Sequence, residues 1–317
     1  MMMPSDSRKI VVLGSGGTIA GVAADAADNV GYHAAQIGVA QLVGAVPALR
    51  SWPLEAEQVA QLDSKDMDIA TWQALARRAA HHLARADVAG CVMTHGTDTL
   101  EETAYFLHRV LAPAKPLVLT AAMRPATSLQ ADGPQNLLDA CTVAASDGAR
   151  GVSVVIDSGV FHPVGVRKWH SHRLDAFSGG DAGAIGRVEQ GAVRRFRDWP
   201  SGGALGLAHI AHDAAAWPRV EIVLNHAGAD GTIVDALLAR GGVAGIVVAG
   251  TGNGTVSAGL AAALRRARQV GVWVRRSTRC AAGPVIDAPD AEFAGTGELS
   301  AVQARVEMLL DLLGPPG

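Results

Sequence analysis

Two threonines stand directly after glycines at the ends of short apolar runs in this 317-residue chain. Residues 10–13 lead into Gly14-Ser15-Gly16-Gly17-Thr18-Ile19-Ala20-Gly21, and residues 88–93 lead into His95-Gly96-Thr97-Asp98-Thr99-Leu100 and then Glu101-Glu102-Thr103-Ala104. A threonine hydroxyl is a weak nucleophile until a neighbouring base activates it. Glycine before it permits a tight turn and close approach of a ligand. Both runs are short and β-prone, so they read as buried strands that deliver Thr18, Thr97 and Asp98 at their carboxyl ends. In an open α/β sheet that edge is where ligands bind. Taken singly, Thr18 and Asp98 also fit helix N-caps, which Thr and Asp commonly supply.

The elements that must position these residues follow from periodicity. Strands near 9–14, 88–93, 116–121 and 151–156 alternate with helices near 36–48, 68–86, 99–112 and 131–146, which predicts a mainly parallel sheet with helices on both faces. From about 194 to 219 the alternation breaks at Trp199-Pro200-Ser201-Gly202-Gly203 and Trp217-Pro218. Pro and Gly punctuation of this kind marks an interdomain connection. Alternation resumes with strands at 220–224, 243–249 and 270–275, helices near 231–240 and 256–269, and a last helix near 299–313. The expected organisation is α/β: residues 1–195 carry the catalytic threonines, 196–219 link, and 220–317 form a smaller three-layer unit. Length alone favours two domains.

Charged residues make up 18% of the chain and the formal net charge is -3, which argues against a nucleic-acid surface or a polybasic membrane anchor. The start, Met1-Met2-Met3-Pro4-Ser5-Asp6-Ser7-Arg8-Lys9, lacks the apolar core of a signal peptide, and no later apolar run approaches membrane-spanning length. A cytoplasmic protein is expected. Cys91, Cys141 and Cys280 are odd in number and lack CxxC spacing, so they read as free thiols, with Cys91 hidden in a strand. His162 and the pair His170 and His172 have no Cys, Asp or Glu cluster at ligand spacing beside them, and no metal is assigned. Ile19 stands where a dinucleotide fingerprint needs glycine, which argues against a nicotinamide site.

Four ordered blocks carry a family resemblance: Gly16 to Gly21; His95 to Ala104; Ala122-Met123-Arg124-Pro125 with Ala131-Asp132-Gly133-Pro134 and Asn136-Leu137; and Gly252-Asn253-Gly254. Together they resemble the bacterial-type L-asparaginase family of threonine amidohydrolases. The resemblance implies hydrolysis of L-asparagine to L-aspartate and ammonia without a cofactor, on a larger N-terminal α/β domain and a smaller, flavodoxin-like C-terminal one. It makes Thr18 the nucleophile that forms an acyl-enzyme. Thr97, Asp98 and Lys168 become a hydroxyl, carboxylate and lysine group that positions or activates water, and Lys168 lies in Val164-Gly165-Val166-Arg167-Lys168-Trp169. A lysine acts as a base only where its surroundings favour the amine.

By the same resemblance Tyr32 hydrogen-bonds the nucleophile from a mobile lid over 22–35. Ser64 meets the substrate α-carboxylate, Asp98 meets its α-ammonium, and the N–H groups of Thr97 and Ala122 form the oxyanion hole. Asn253 reaches a partner's site in a homotetramer built as a dimer of dimers. Lys65 stands where many relatives carry glutamine or serine, which places a cation near the α-carboxylate or alters side-chain preference. An acidic residue that a neighbouring subunit contributes is expected between about 283 and 290, with Asp287 and Asp290 as candidates. Two alternatives remain open: a broader glutaminase-asparaginase, and a silent asparagine-binding paralogue.

Overall fold

The computed structural model describes residues 8–314; the Met1–Ser7 stretch read above for a leader, and residues 315–317, lie outside it. The chain divides into two compact units, the first ending at Leu207 and the second starting at Ala208.

In the first unit, β1 (Lys9–Gly16), β2 (Leu54–Leu62), β3 (Val88–Thr94), β4 (Pro116–Thr120) and β5 (Gly151–Ile156) are parallel, in the order β5-β4-β3-β1-β2. An antiparallel edge, β6 (Gly159–Phe161), β7 (Gly186–Glu189) and β8 (Ala192–Arg195), completes an eight-stranded sheet beside β5. The central strands are buried on both faces, as their unbroken apolar runs require: Val11, Val12, Leu13, Val92, Met93, Val118 and Leu119 are fully enclosed. Each such side chain contributes about 1.5–3 kcal/mol over leaving it in water. Around the sheet lie α1 (Val39–Gly44), α2 (Ile69–Leu83), α3 (Leu100–Leu111) and α4 (Gly133–Ala144). Strand order therefore reverses between β1 and β3. In open α/β sheets the loops that follow strands at such a reversal leave to opposite faces, and ligands bind between them.

Two sequence expectations are corrected. The helix expected near 36–48 is only the six residues of α1 followed by a separate 3-10 turn, Pro47–Leu49, because Pro47 has no N–H to continue the ladder. Strand β2, with Leu54-Glu55-Ala56-Glu57-Gln58-Val59-Ala60-Gln61-Leu62, was not expected at all, since Glu, Gln and Ala are poor strand formers. Tertiary charge pairing holds it: Glu57 accepts from Arg78 at 2.5 and 2.7 Å and from His82 at 2.7 Å, and Glu55 accepts from Arg85 at 2.8 and 2.9 Å. The Arg78 hydrogen bonds lead in pulling the Glu57 carboxyl down to about 2.

The second unit is a three-stranded parallel sheet, β9 (Arg219–Leu224), β10 (Val243–Gly250) and β11 (Trp273–Thr278). On one face Ile246 and Val248 join Val234 of α5 (Thr232–Arg240) and Leu260 and Leu264 of α6 (Ala258–Gln269) in one core. On the other, Gly245 lies against Met308 of α7 (Ala301–Leu312), where any Cβ would meet the Met308 side chain. Among the described residues no helix is long and apolar enough to cross a membrane. Cys91 and Cys141 are buried thiols; burial pushes both up to about 12, which leaves Cys91 inert as a nucleophile.

Candidate active site

Strand β1 ends in two glycines of positive φ, Gly16 at +101° and Gly17 at +82°, before the 3-10 turn Thr18–Ala20. The Gly17 N–H donates to the Leu62 carbonyl at the end of β2. A Cβ on Gly17 would collide with the backbone of Gly96 and His95, and one on Gly96 would collide with the Ser64 side chain. The loops after β1, β2 and β3 therefore interlock through bare backbone. Gly17→Ala is expected to combine left-handed strain with this collision and to cost about 3 kcal/mol or more. Thermal denaturation should show the midpoint falling by roughly 10 °C; an unshifted midpoint would contradict the interlock.

The interlock is reinforced by hydrogen bonds. The Ser64 hydroxyl, itself buried, accepts from the Asp98 N–H at 3.2 Å, and Thr99 Oγ1 donates to the Ser64 carbonyl at 2.8 Å. His95 donates from Nδ1 to the Gly96 carbonyl at 2.7 Å in a fully enclosed pocket, and burial lowers its pKa to about 4, so the ring is neutral near pH 7. A carbonyl held this way fixes the Gly96–Thr97 peptide plane, and with it the direction of the Thr97 N–H.

These loops hold two hydroxyl groups in two distinct hydrogen-bonded sets. Thr18 Oγ1 is 2.7 Å from the Tyr32 hydroxyl, with Thr18 buried and Tyr32 half-buried. Lys168, on the short strand Arg167–Lys168 paired with Phe177–Ser178, donates from Nζ to Thr97 Oγ1 at 2.8 Å and to Asp98 Oδ1 at 2.6 Å. The Asp98 side chain is 51% exposed against 19% for Lys168, so the carboxylate retains capacity to accept from a ligand ammonium. Strand pairing between β3 and β4 ends at Thr94 and Thr120, and the N–H groups of Thr97 and Ala122 have no backbone acceptor among the described residues.

Tyr32 arrives on a hairpin, Val22–Ala23 against Tyr32–His33, that docks on the loop after β4. Ala23 N–H donates to Thr127 Oγ1 at 2.9 Å, Leu129 N–H to the Ala26 carbonyl at 3.1 Å, and Ser128 Oγ to Asn29 Oδ1 at 2.5 Å. Asp132 shapes the same loop by accepting from the Met123 and Arg124 N–H groups at 2.9 and 3.0 Å.

This disposition accompanies matches along nearly the whole chain. The family model for Asparaginase, N-terminal, covers residues 9–201, and that for the Glutaminase/Asparaginase C-terminal domain covers 219–313. The chain belongs to the asparaginase family. It is 38% identical over 277 residues to a glutaminase-asparaginase of Pseudomonas fluorescens biotype A, covering 86% of this chain and 76% of the relative. It is 34% identical over 316 residues to a probable L-asparaginase periplasmic of Haemophilus influenzae, covering 97% and 89%. The crystal structure of a probable cytoplasmic L-asparaginase from Campylobacter jejuni superimposes with a TM-score of 0.90 at 34% identity, covering 98% of this chain and 96% of that one.

Within this asparaginase family chain, Thr18, Tyr32, Ser64, Thr97, Asp98, Ala122 and Lys168 all lie in the first unit, at or beyond the carboxyl ends of its strands. The Lys65 ammonium pairs with Asp66 and lies 3.5 Å from Asp63. Asn253, in the second unit, spends both ends of its amide on Ile286, accepting from its N–H at 2.8 Å and donating to its carbonyl at 2.9 Å. Asp287 accepts from Arg276 at 2.5 Å and from the Gly295 N–H, whose hydrogen bond leads in lowering its pKa. His170 Nδ1 accepts from the N–H groups of His172 and Arg173 and so closes its own turn.

The sequence reading assigned no role to Arg124. Its buried guanidinium donates from one nitrogen to the His172 carbonyl at 2.7 Å and to the Met123 carbonyl at 3.2 Å, tying the loop after Lys168 to the loop of Ala122. The available signal was an arginine in the apolar stretch Thr120-Ala121-Ala122-Met123, closed by Pro125.

Proposed function

We propose that the protein hydrolyses L-asparagine to L-aspartate and ammonia through an ester on Thr18, without a cofactor. The observation that carries this reading is the placement of the Thr18–Tyr32 pair and the Thr97–Lys168–Asp98 set on adjacent strand ends. Thr18 Oγ1 attacks the side-chain amide carbon while its proton passes to the Tyr32 hydroxyl, 2.7 Å away, which hands its own proton on to the amide nitrogen. The N–H groups of Thr97 and Ala122 take the developing oxyanion. Collapse breaks the C–N bond, the nitrogen leaves with that proton as ammonia, and the Thr18 ester remains. Water held by Thr97 gives up a proton through it to the amine of Lys168 and attacks that ester; the bond to Thr18 Oγ1 breaks, the proton returns to that oxygen, and L-aspartate is released. Asp98 holds the α-ammonium and Ser64 the α-carboxylate, and closure of the 22–35 lid excludes bulk water.

Ammonia release from L-asparagine and L-glutamine by the purified protein tests this directly. With the α-groups anchored at Asp98 and Ser64, one extra methylene is worth about 1–3 kcal/mol, so asparagine is expected to be preferred roughly 10- to 200-fold in kcat/KM. Comparable values for both amides would favour the glutaminase-asparaginase reading, which the Pseudomonas relative's name supports. Binding of asparagine without ammonia release would favour the silent paralogue. A cytoplasmic location is supported by the free thiols and by the name of the Campylobacter protein, against the periplasmic name of the Haemophilus relative. Assembly as a dimer of dimers is carried over from the family resemblance, and sedimentation velocity measures it.

A further inference from the structure

The N–H groups of Thr97 and Ala122 belong to peptides whose carbonyl ends are gripped from behind. In a trans peptide the C=O of one residue and the N–H of the next lie in one plane and point opposite ways. Whatever holds the oxygen therefore aims the N–H. For Thr97 that oxygen is the Gly96 carbonyl, which accepts from His95 Nδ1 at 2.7 Å. For Ala122 it is the Ala121 carbonyl, which accepts from Asn136 Nδ2 at 2.9 Å. Both gripping side chains are buried.

Their neighbours force the direction of each bond. A carbonyl only accepts, so the His95 proton sits on Nδ1, and the enclosed Nε2, which has no hydrogen-bond partner, is the bare nitrogen. The Asn136 amide stands between the Ala121 carbonyl, which needs a donor, and the Asp157 N–H, which finds Oδ1 at 3.0 Å. Its nitrogen also donates to Asp132 Oδ2 at 3.0 Å, and Asp132 in turn accepts from the Met123 and Arg124 N–H groups. The two grips meet at the end of β4, where the Thr120 carbonyl accepts from the His95 N–H at 2.8 Å one residue before Ala121. A hydrogen bond on a carbonyl also polarises its peptide and strengthens the N–H at the other end as a donor.

We propose that His95 and Asn136 are positioning residues that hold the Thr97 and Ala122 N–H groups on the developing oxyanion, each through the carbonyl of the same peptide. This rests on the reading of those two N–H groups as the oxyanion donors. Donors fixed in advance need no reorganisation as charge builds, so the benefit falls on the transition state rather than on substrate binding.

The test is kcat and KM for asparagine in His95→Leu, His95→Asn and Asn136→Leu, with inhibition by L-2-aminobutyrate, which carries the same α-groups but no side-chain carbonyl. Leucine keeps apolar bulk and cannot donate. Asparagine at position 95 carries its amide nitrogen as many bonds from Cα as Nδ1 and can. Each leucine variant should lower kcat roughly 10- to 100-fold, short of removing a donor outright, while KM and the aminobutyrate inhibition constant change by less than about threefold. His95→Asn should recover most of the His95→Leu loss. General loosening of the site would weaken aminobutyrate binding in step with kcat and would not be relieved by His95→Asn; either result, or near-normal kcat in both leucine variants, overturns the proposal. Nitrogen NMR of the native protein should show the His95 proton on Nδ1, and an Nε2–H tautomer overturns the grip on Gly96 whether or not any variant folds. All of these failures leave ammonia release by the unmodified protein intact, whereas its absence defeats the functional reading itself.

Discussion

Thr18→Ala is expected to lower the rate of ammonia release from asparagine by at least about a thousandfold, because it removes the oxygen that forms the ester rather than a group that tunes it. Loss of a nucleophile that acts as one unit with its partners typically costs several orders of magnitude. The fold should survive. Alanine removes one buried hydroxyl and one methyl, and the hydrogen bond to Tyr32, which together are worth about 2 kcal/mol. Thr18 lies just beyond the end of β1, 7% exposed, and the turn around it is held by Gly16, Gly17 and the Leu62 carbonyl, none of which the substitution touches. Circular dichroism should therefore match the unmodified protein. Release of ammonia at a near-normal rate by such a folded variant would eliminate Thr18 as the nucleophile.

Lys168→Met is expected to remove most activity, at least about a hundredfold. The ammonium now donates to both Thr97 Oγ1 and Asp98 Oδ1. Methionine keeps most of the apolar stem but can neither donate to those oxygens nor exchange a proton through Thr97, so the step that activates water is lost while the packing is largely kept. Thr97→Val removes the other end of the same relay. Since the two side chains work as one hydrogen-bonded unit, the double variant should be scarcely slower than the worse single one. Near-normal ammonia release by Lys168→Met, or additive losses in the double variant, would separate Lys168 from Thr97 chemically.

Most of the framework was legible in the sequence because its information is local. Central parallel strands buried on both faces must be continuous apolar runs, and such runs at 10–13, 88–93 and 116–121 need no partner to be recognised. The Gly-Thr pairs at their ends and the Pro and Gly breaks between the units are written within a few residues of one another. Lys168 was placed with Thr97 only through the family pattern, since 71 residues separate them and neither neighbourhood names the other.

What the tertiary structure alone decided are relations across distant segments. Strand β2 exists because Arg78, His82 and Arg85 of α2 and its C-terminal turn neutralise glutamates that by propensity oppose a strand. The Asn253 amide accepts from the Ile286 N–H and donates to its carbonyl, a pairing across 33 residues that neither neighbourhood displays. Arg124 gains its meaning from what lies beside it in space, a carbonyl 48 residues away. The physical reason is common to all of these. Apolar burial is set by side-chain type and period, which a sequence displays, whereas the state of a charge or an amide depends on which donors, acceptors and dielectric surround it, and only folding brings those together.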